Sequence, residues 1–209
     1  MIRAIIFDSD GTLFDSGGLG KTKLAKICEK NNLVFDEEKY KSLTGFTRKD
    51  KIAKMFPLDF DIVWPLWDKA YSDNYAEFAQ IYPNVFDTIK KLKEQGILLF
   101  IFSTKYSYLV KQALDKFEVS NYFQEIIGGE FEPIKPAPVA VENILKKYGL
   151  EKDELLLVGD SEVDKESAQN ANIKFVLIDY KKKSQIKEYY KKIESLSELE
   201  NILIKLNKN

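Results

Sequence analysis

The 209-residue chain contains no histidine. That absence removes imidazole general bases, histidine triads, histidine-ligated metals and histidine phosphoryl carriers. Acid–base chemistry is left to Asp, Glu, Lys or Tyr. A single cysteine, Cys28, cannot close an intrachain disulfide, and there is no cysteine cluster for zinc. An excess of charge is also lacking. Lys and Arg number 32 against 33 Asp and Glu, so no basic footprint for nucleic acid or a membrane surface stands out. No apolar run approaches the roughly 18 residues of a membrane span. The chain starts on an apolar strand pattern and not on a charged leader, so the expected location is the cytoplasm. Low-complexity sequence and internal repeats are absent too.

What is present is enough apolar side chain, 44% with 13% aromatic, to fill the core of one ordinary domain plus an insert. Ile2, Ala4, Ile5, Ile6 and Phe7 form a short apolar run without a helical stripe, which suits a strand buried on both faces. Similar runs recur at 97–102, 123–127, 155–158 and 173–178. Between them lie helical patterns at 83–96, 106–117, 137–148 and 161–170, with closing helices expected over Ser184–Lys192 and Leu196–Leu206. Such alternation predicts a Rossmann-like α/β fold with a parallel sheet. From 15 to 81 the rhythm breaks. Helical patterns over 19–31, 36–43, 47–56 and 59–78 follow one another, and no strand stands out between Leu13 and Ile81. We read residues 1–14 and 82–209 as the α/β core and 15–81 as an inserted all-helical cap. Within the insert, Trp64, Trp67, Tyr71 and Tyr75 recur every three or four residues, a packing stripe, and Cys28 reads as a small buried residue.

Polar residues follow four of the strand patterns: Asp8 and Asp10, then Ser103 and Thr104, then Lys135 in the loop beyond the third strand, then Asp160 and Asp164. In open α/β sheets ligands bind beyond the carboxyl ends of the strands, and a parallel sheet gathers these loops at one edge. Asp8 and Asp10, about 6–7 Å apart along a strand, repel each other, which invites a divalent cation, a shared proton or a cationic neighbour. Each residue type has a use in phosphoryl transfer. A carboxylate can attack phosphorus, and a second can protonate the leaving oxygen and later deprotonate water. Mg²⁺ takes oxygen ligands, while a hydroxyl and an ammonium can hold phosphate oxygens. Asp-x-Asp-Gly also opens a calcium loop, but the glutamate needed at its twelfth position is Leu19 here.

Four stretches carry a family resemblance. DSDGT at Asp8–Thr12, Ser103 in IFSTK, Lys135 in IKPAP and GDSEVD at Gly159–Asp164 resemble, in order, the four motifs of the haloacid dehalogenase-like superfamily. The insert resembles the helical cap of its phosphoglycolate phosphatase and beta-phosphoglucomutase branch. TGFTRKD at Thr44–Asp50, with Gly45 and Arg48, resembles that branch's substrate-contacting loop. The resemblance implies a Mg²⁺-dependent phosphatase for a small phosphorylated metabolite. Asp8 is then the nucleophile, and Asp10 the general acid and base with its carbonyl on the metal. Asp8 and Asp160 supply metal carboxylates, and Asp164 orients Lys135 or a water of the metal. Ser103, Thr104 and Lys135 take the phosphate, and Arg48 takes a carboxylate or second phosphate as the cap closes. Residue 9, often a larger apolar residue in relatives, is Ser9, which leaves the chemistry alone but bears on how cap and core meet. A phosphosugar mutase is the alternative on this scaffold. A non-catalytic phospho-aspartate switch is a third, opposed by Asp10, which would shorten the acyl phosphate's life. Monomer and homodimer both stay open.

Overall fold

The computed structural model describes residues 1–43 and 48–206, and of Arg48 only the backbone. The chain divides into two compact units, Met1–Asp15 with Gln80–Asn209, and Ser16–Ala79.

The first unit starts with β1 (Ala4–Phe7) and a two-residue β2 (Phe14–Asp15). The second unit follows, with α1 (Leu19–Lys30), α2 (Glu37–Ser42), α3 (Arg48–Met55), α4 (Phe60–Ser72) and α5 (Tyr75–Phe78). The chain returns through β3 (Gln80–Ile81) to α6 (Val85–Glu94), β4 (Leu98–Phe102), α7 (Ser107–Lys116), β5 (Glu125–Ile127) and α8 (Val139–Tyr148). It closes with β6 (Leu155–Gly159), α9 (Glu162–Ala171), β7 (Lys174–Ile178), β8 (Lys191–Ile193) and α10 (Leu199–Leu206).

Six strands form a parallel sheet in the order β5-β4-β1-β6-β7-β8, with β1 inside it. This is a Rossmann-like sheet, as the alternating pattern predicts. All four β1 residues are fully buried, each large apolar side chain contributing about 1.5–3 kcal/mol. Phe7 stands level with Ile101 on one side and Val158 on the other. That register brings the carboxyl ends of β4, β1 and β6 flush, so the residues after them emerge side by side.

The helical unit has its own core. Trp67, Tyr71 and Tyr75 are buried, each ring meeting the next at centroid distances of 5.4 and 5.9 Å, and Trp64 meets Trp67 at 6.1 Å. Trp67 Nε1 donates to the Gly20 carbonyl across 2.8 Å, which ties α4 to α1. The stripe is packing, and Cys28 is buried in α1.

Two expectations are corrected. Ser184–Lys192 is not helical: residues 184–189 carry no regular structure, and Lys191–Ile193 is the edge strand β8. The Asp179 carboxylate accepts the Lys183 and Ser184 N–H groups, each at 3.0 Å, which competes with a helical start. Glu188, at φ 64°, then breaks the run. A strand pair also exists where none stood out. Phe14 pairs antiparallel with Ile81 and Asp15 with Gln80, so β2 and β3 flank the helical insertion within the first unit. Strands of two residues carry no alternation to read.

Candidate active site

Asp8 leaves β1 with its N–H donated to the Val158 carbonyl at 2.9 Å, so the sheet ladder continues to the first acid. A tight turn follows. Gly11 N–H donates to the Phe14 carbonyl, and Leu13 and Phe14 both donate to the Ser9 carbonyl. Gly11 sits at φ 82°, and a Cβ there would overlap the Asp160 carboxylate. Glycine at this position therefore serves both the turn and the approach of β6. Tyr180 Oη–H adds a tie by donating to the Thr12 carbonyl at 2.9 Å, its ring stacked on Tyr82.

Lys135 is the centre of the arrangement. Its ammonium is buried and lies 2.9 Å from Asp8 Oδ1 and 2.6 Å from Asp164 Oδ1. Asp164 is held for this contact by the start of α9. Ser161 Oγ accepts the Asp164 N–H, while Asp164 Oδ2 accepts the Ser161 N–H at 3.0 Å and its hydroxyl at 2.5 Å. This capping box fixes the side chain so that its other oxygen faces Lys135. Gly159 gives room, since a Cβ there would overlap Asp164.

Asp160 joins these groups. Carboxylate oxygens of Asp8, Asp160 and Asp164 all lie within 4.8 Å of one another. Asp160 has no hydrogen bond or ion pair from its carboxylate among the described residues. Burial pushes the Asp8 carboxyl up to about 7 against the pull of Lys135, with Asp164 and Asp10 adding to the rise. Burial, then repulsion from Asp8, Asp164 and Asp10, pushes Asp160 up to about 8. Burial opposes the charge of Lys135, but Asp164 and Asp8 outweigh it and hold the ammonium above its ordinary value. Three acids sharing one ammonium leave negative charge to be met, and an oxygen-only donor set fits Mg²⁺.

Asp10 sits apart from the three, with Lys105 Nζ 2.5 Å from its Oδ2. Ser103 is buried at the end of β4, and its hydroxyl is 2.7 Å from the hydroxyl of the fully buried Ser9. Ser9 is thus spent on a bond to Ser103. Thr104, beyond it, is exposed. Gly45 lies outside the described residues, and Arg48 opens α3. Lys105 is the neighbour the sequence reading did not single out, and Ser9 is one whose partner it did not name. Lys105, three residues past a strand among polar neighbours, looks like any loop lysine, and the partner of Ser9 is 94 residues away.

Fold and site define a Rossmann-like α/β enzyme with an acidic centre at the carboxyl ends of its strands. Residues 5–178 match the family described as haloacid dehalogenase-like hydrolase, and the chain belongs to that family of hydrolases. It is 31% identical over 173 residues to Pyrophosphatase PpaX of Oceanobacillus iheyensis, covering 82% of this chain and 81% of that protein. To Phosphoglycolate phosphatase of Aquifex aeolicus it is 31% identical over 186 residues, 84% of each chain. A solved haloacid dehalogenase-superfamily hydrolase of subfamily IA from Geobacter sulfurreducens, 23% identical, has the same fold. Its TM-score is 0.79 over 97% of this chain and 96% of that one. Among the described residues no helix is long and apolar enough to cross a membrane.

Proposed function

We propose that the protein is a Mg²⁺-dependent phosphomonoester hydrolase for a small phosphorylated metabolite, working through an aspartyl phosphate at Asp8. The observation that carries this reading is the buried Lys135 ammonium bridging Asp8 and Asp164, with Asp160 at their side. In the first step an Asp8 carboxylate oxygen attacks phosphorus. A new O–P bond forms, the ester O–P bond breaks, and Asp10 gives its proton to the departing oxygen. In the second step Asp10 takes a proton from water, whose oxygen forms the new bond to phosphorus as the bond between phosphorus and the Asp8 oxygen breaks, releasing the Asp8 carboxylate. Lys135 and the Ser103 hydroxyl hold phosphoryl oxygens as charge develops on them. Asp8, Asp160 and the Asp10 carbonyl are the proposed holders of Mg²⁺, with Asp164 keeping Lys135 in place. The bound ion would neutralise the acids and polarise the phosphoryl oxygens. An ionised Asp8 is what attack requires. The carboxyl near 7 in the metal-free protein marks a group whose charge depends on a cation beside it.

The helical unit is proposed as a cap bearing the substrate-selecting loop. Gly45 and Arg48 are the candidates there, Arg48 matching a substrate carboxylate by a bidentate contact. Relatives named for phosphoglycolate and pyrophosphate put those two compounds first in a test panel.

The test is phosphate release with Mg²⁺ from p-nitrophenyl phosphate and from that panel, including a hexose 1-phosphate. Turnover is expected in wild type and none in Asp8→Asn. Arg48→Ala should raise KM for carboxylated substrates and leave the aryl ester unaffected. Full activity in Asp8→Asn, or an isomerised hexose phosphate as the main product, would overturn the reading.

A further inference from the structure

Lys105 has no part in the steps above, yet its setting is built. The ammonium lies 2.5 Å from Asp10 Oδ2, the two side chains being 13% and 25% exposed. The Lys105 backbone is held from two directions. Its N–H donates to Ser103 Oγ at 3.1 Å, and its carbonyl accepts the Gly129 N–H at 2.7 Å. Gly128 lies so close that a Cβ there would reach 2.7 Å from the same carbonyl. An exposed ion pair on a free loop contributes little. This one is largely buried and hangs from a fixed backbone, so the ammonium has a defined place.

The two lysines also divide the acids. Lys135 takes Asp8 and Asp164, and Lys105 takes Asp10. A proton-transferring carboxylate must be aimed at the oxygen it serves, and small misplacements are costly. Asp10 lies two residues from Asp8 and is repelled by it, so an ammonium on its Oδ2 both restrains and orients it.

We propose that Lys105 is a positioning residue for Asp10, holding its carboxylate where it meets the leaving oxygen. This rests on the phosphatase reading, with Asp10 as general acid. It predicts a leaving-group effect that a merely structural lysine would lack. A p-nitrophenolate leaves with little protonation, whereas an alkoxide needs a proton.

The experiment compares kcat/KM for p-nitrophenyl phosphate and phosphoglycolate in wild type, Lys105→Met and Lys105→Arg, with Mg²⁺. Positioned acids contribute about 10²–10⁴-fold, so the ratio of the two values should widen by about tenfold or more in Lys105→Met. Lys105→Arg should bring it back toward wild type. In an Asp10→Asn background, Lys105→Met should add no further loss on the aryl ester. Equal losses on both substrates, an unchanged ratio, or an additive loss in the double variant would overturn the assignment alone. A wild type inert toward every phosphomonoester would overturn the phosphatase reading and this assignment with it.

Discussion

At the residue scale, the dominant fact is carboxylates that cannot all be satisfied by one ammonium. Asp8 near 7 and Asp160 near 8 both lie above their unfolded value of 3.8. Folding therefore favours their protonated forms. Their contribution to stability is fully present below about 4 and is lost as pH rises through 7 and 8. A divalent cation needs the ionised forms, so its stabilisation grows over the same range. Two melting curves check this. Without metal at pH 8.5, Asp160→Asn should melt higher than wild type, with the difference closing toward pH 5. Added Mg²⁺ should then raise wild type more than the variant. A metal-free wild type that melts above Asp160→Asn at pH 8.5 would contradict it. Much of this arrangement is legible by residue type, because acids and a lysine after apolar strands have few other reasons to stand there. The capping box that aims Asp164 is legible in SEVD as well. The pairing of Ser9 with Ser103 is not, since small polar residues announce no partner at a distance.

At the element scale, the apolar runs that read as buried strands are strands, because a residue buried on both faces leaves no alternation and demands branched or aromatic side chains. What local pattern could not reveal were elements decided by distant partners. β8 exists because Lys191–Ile193 can extend the sheet beside β7, and Asp179 holds the chain that leads to it. β2 and β3 are too short for any periodicity. The end of β6 makes a sharper claim. Gly159→Ala would push a methyl group into Asp164 and tilt it away from Lys135. We expect kcat/KM to fall by about 10²-fold, with the far-UV circular dichroism unchanged. Retained activity would mean that the Asp164–Lys135 contact is dispensable.

At the scale of the whole molecule, the sheet gathers loops separated by up to 127 residues around Asp8 and Lys135, while the helical unit folds about its own aromatic stripe. The membership of both chain halves in one α/β unit is visible in the repeated strand pattern. The single pair of two-residue strands, one strand at each end of the insertion, is not. At that sheet edge the proposed chemistry has one covalent intermediate, a phosphoryl group carried on Asp8. The direct measurement is a rapid acid quench of wild-type protein turning over a phosphomonoester radiolabelled in its phosphoryl group. Borohydride reduction and peptide mapping then follow. Label is expected on the protein during turnover, with reduction at Asp8 alone. Released phosphate with no protein-bound label at any quench time, or label on another residue, would contradict it.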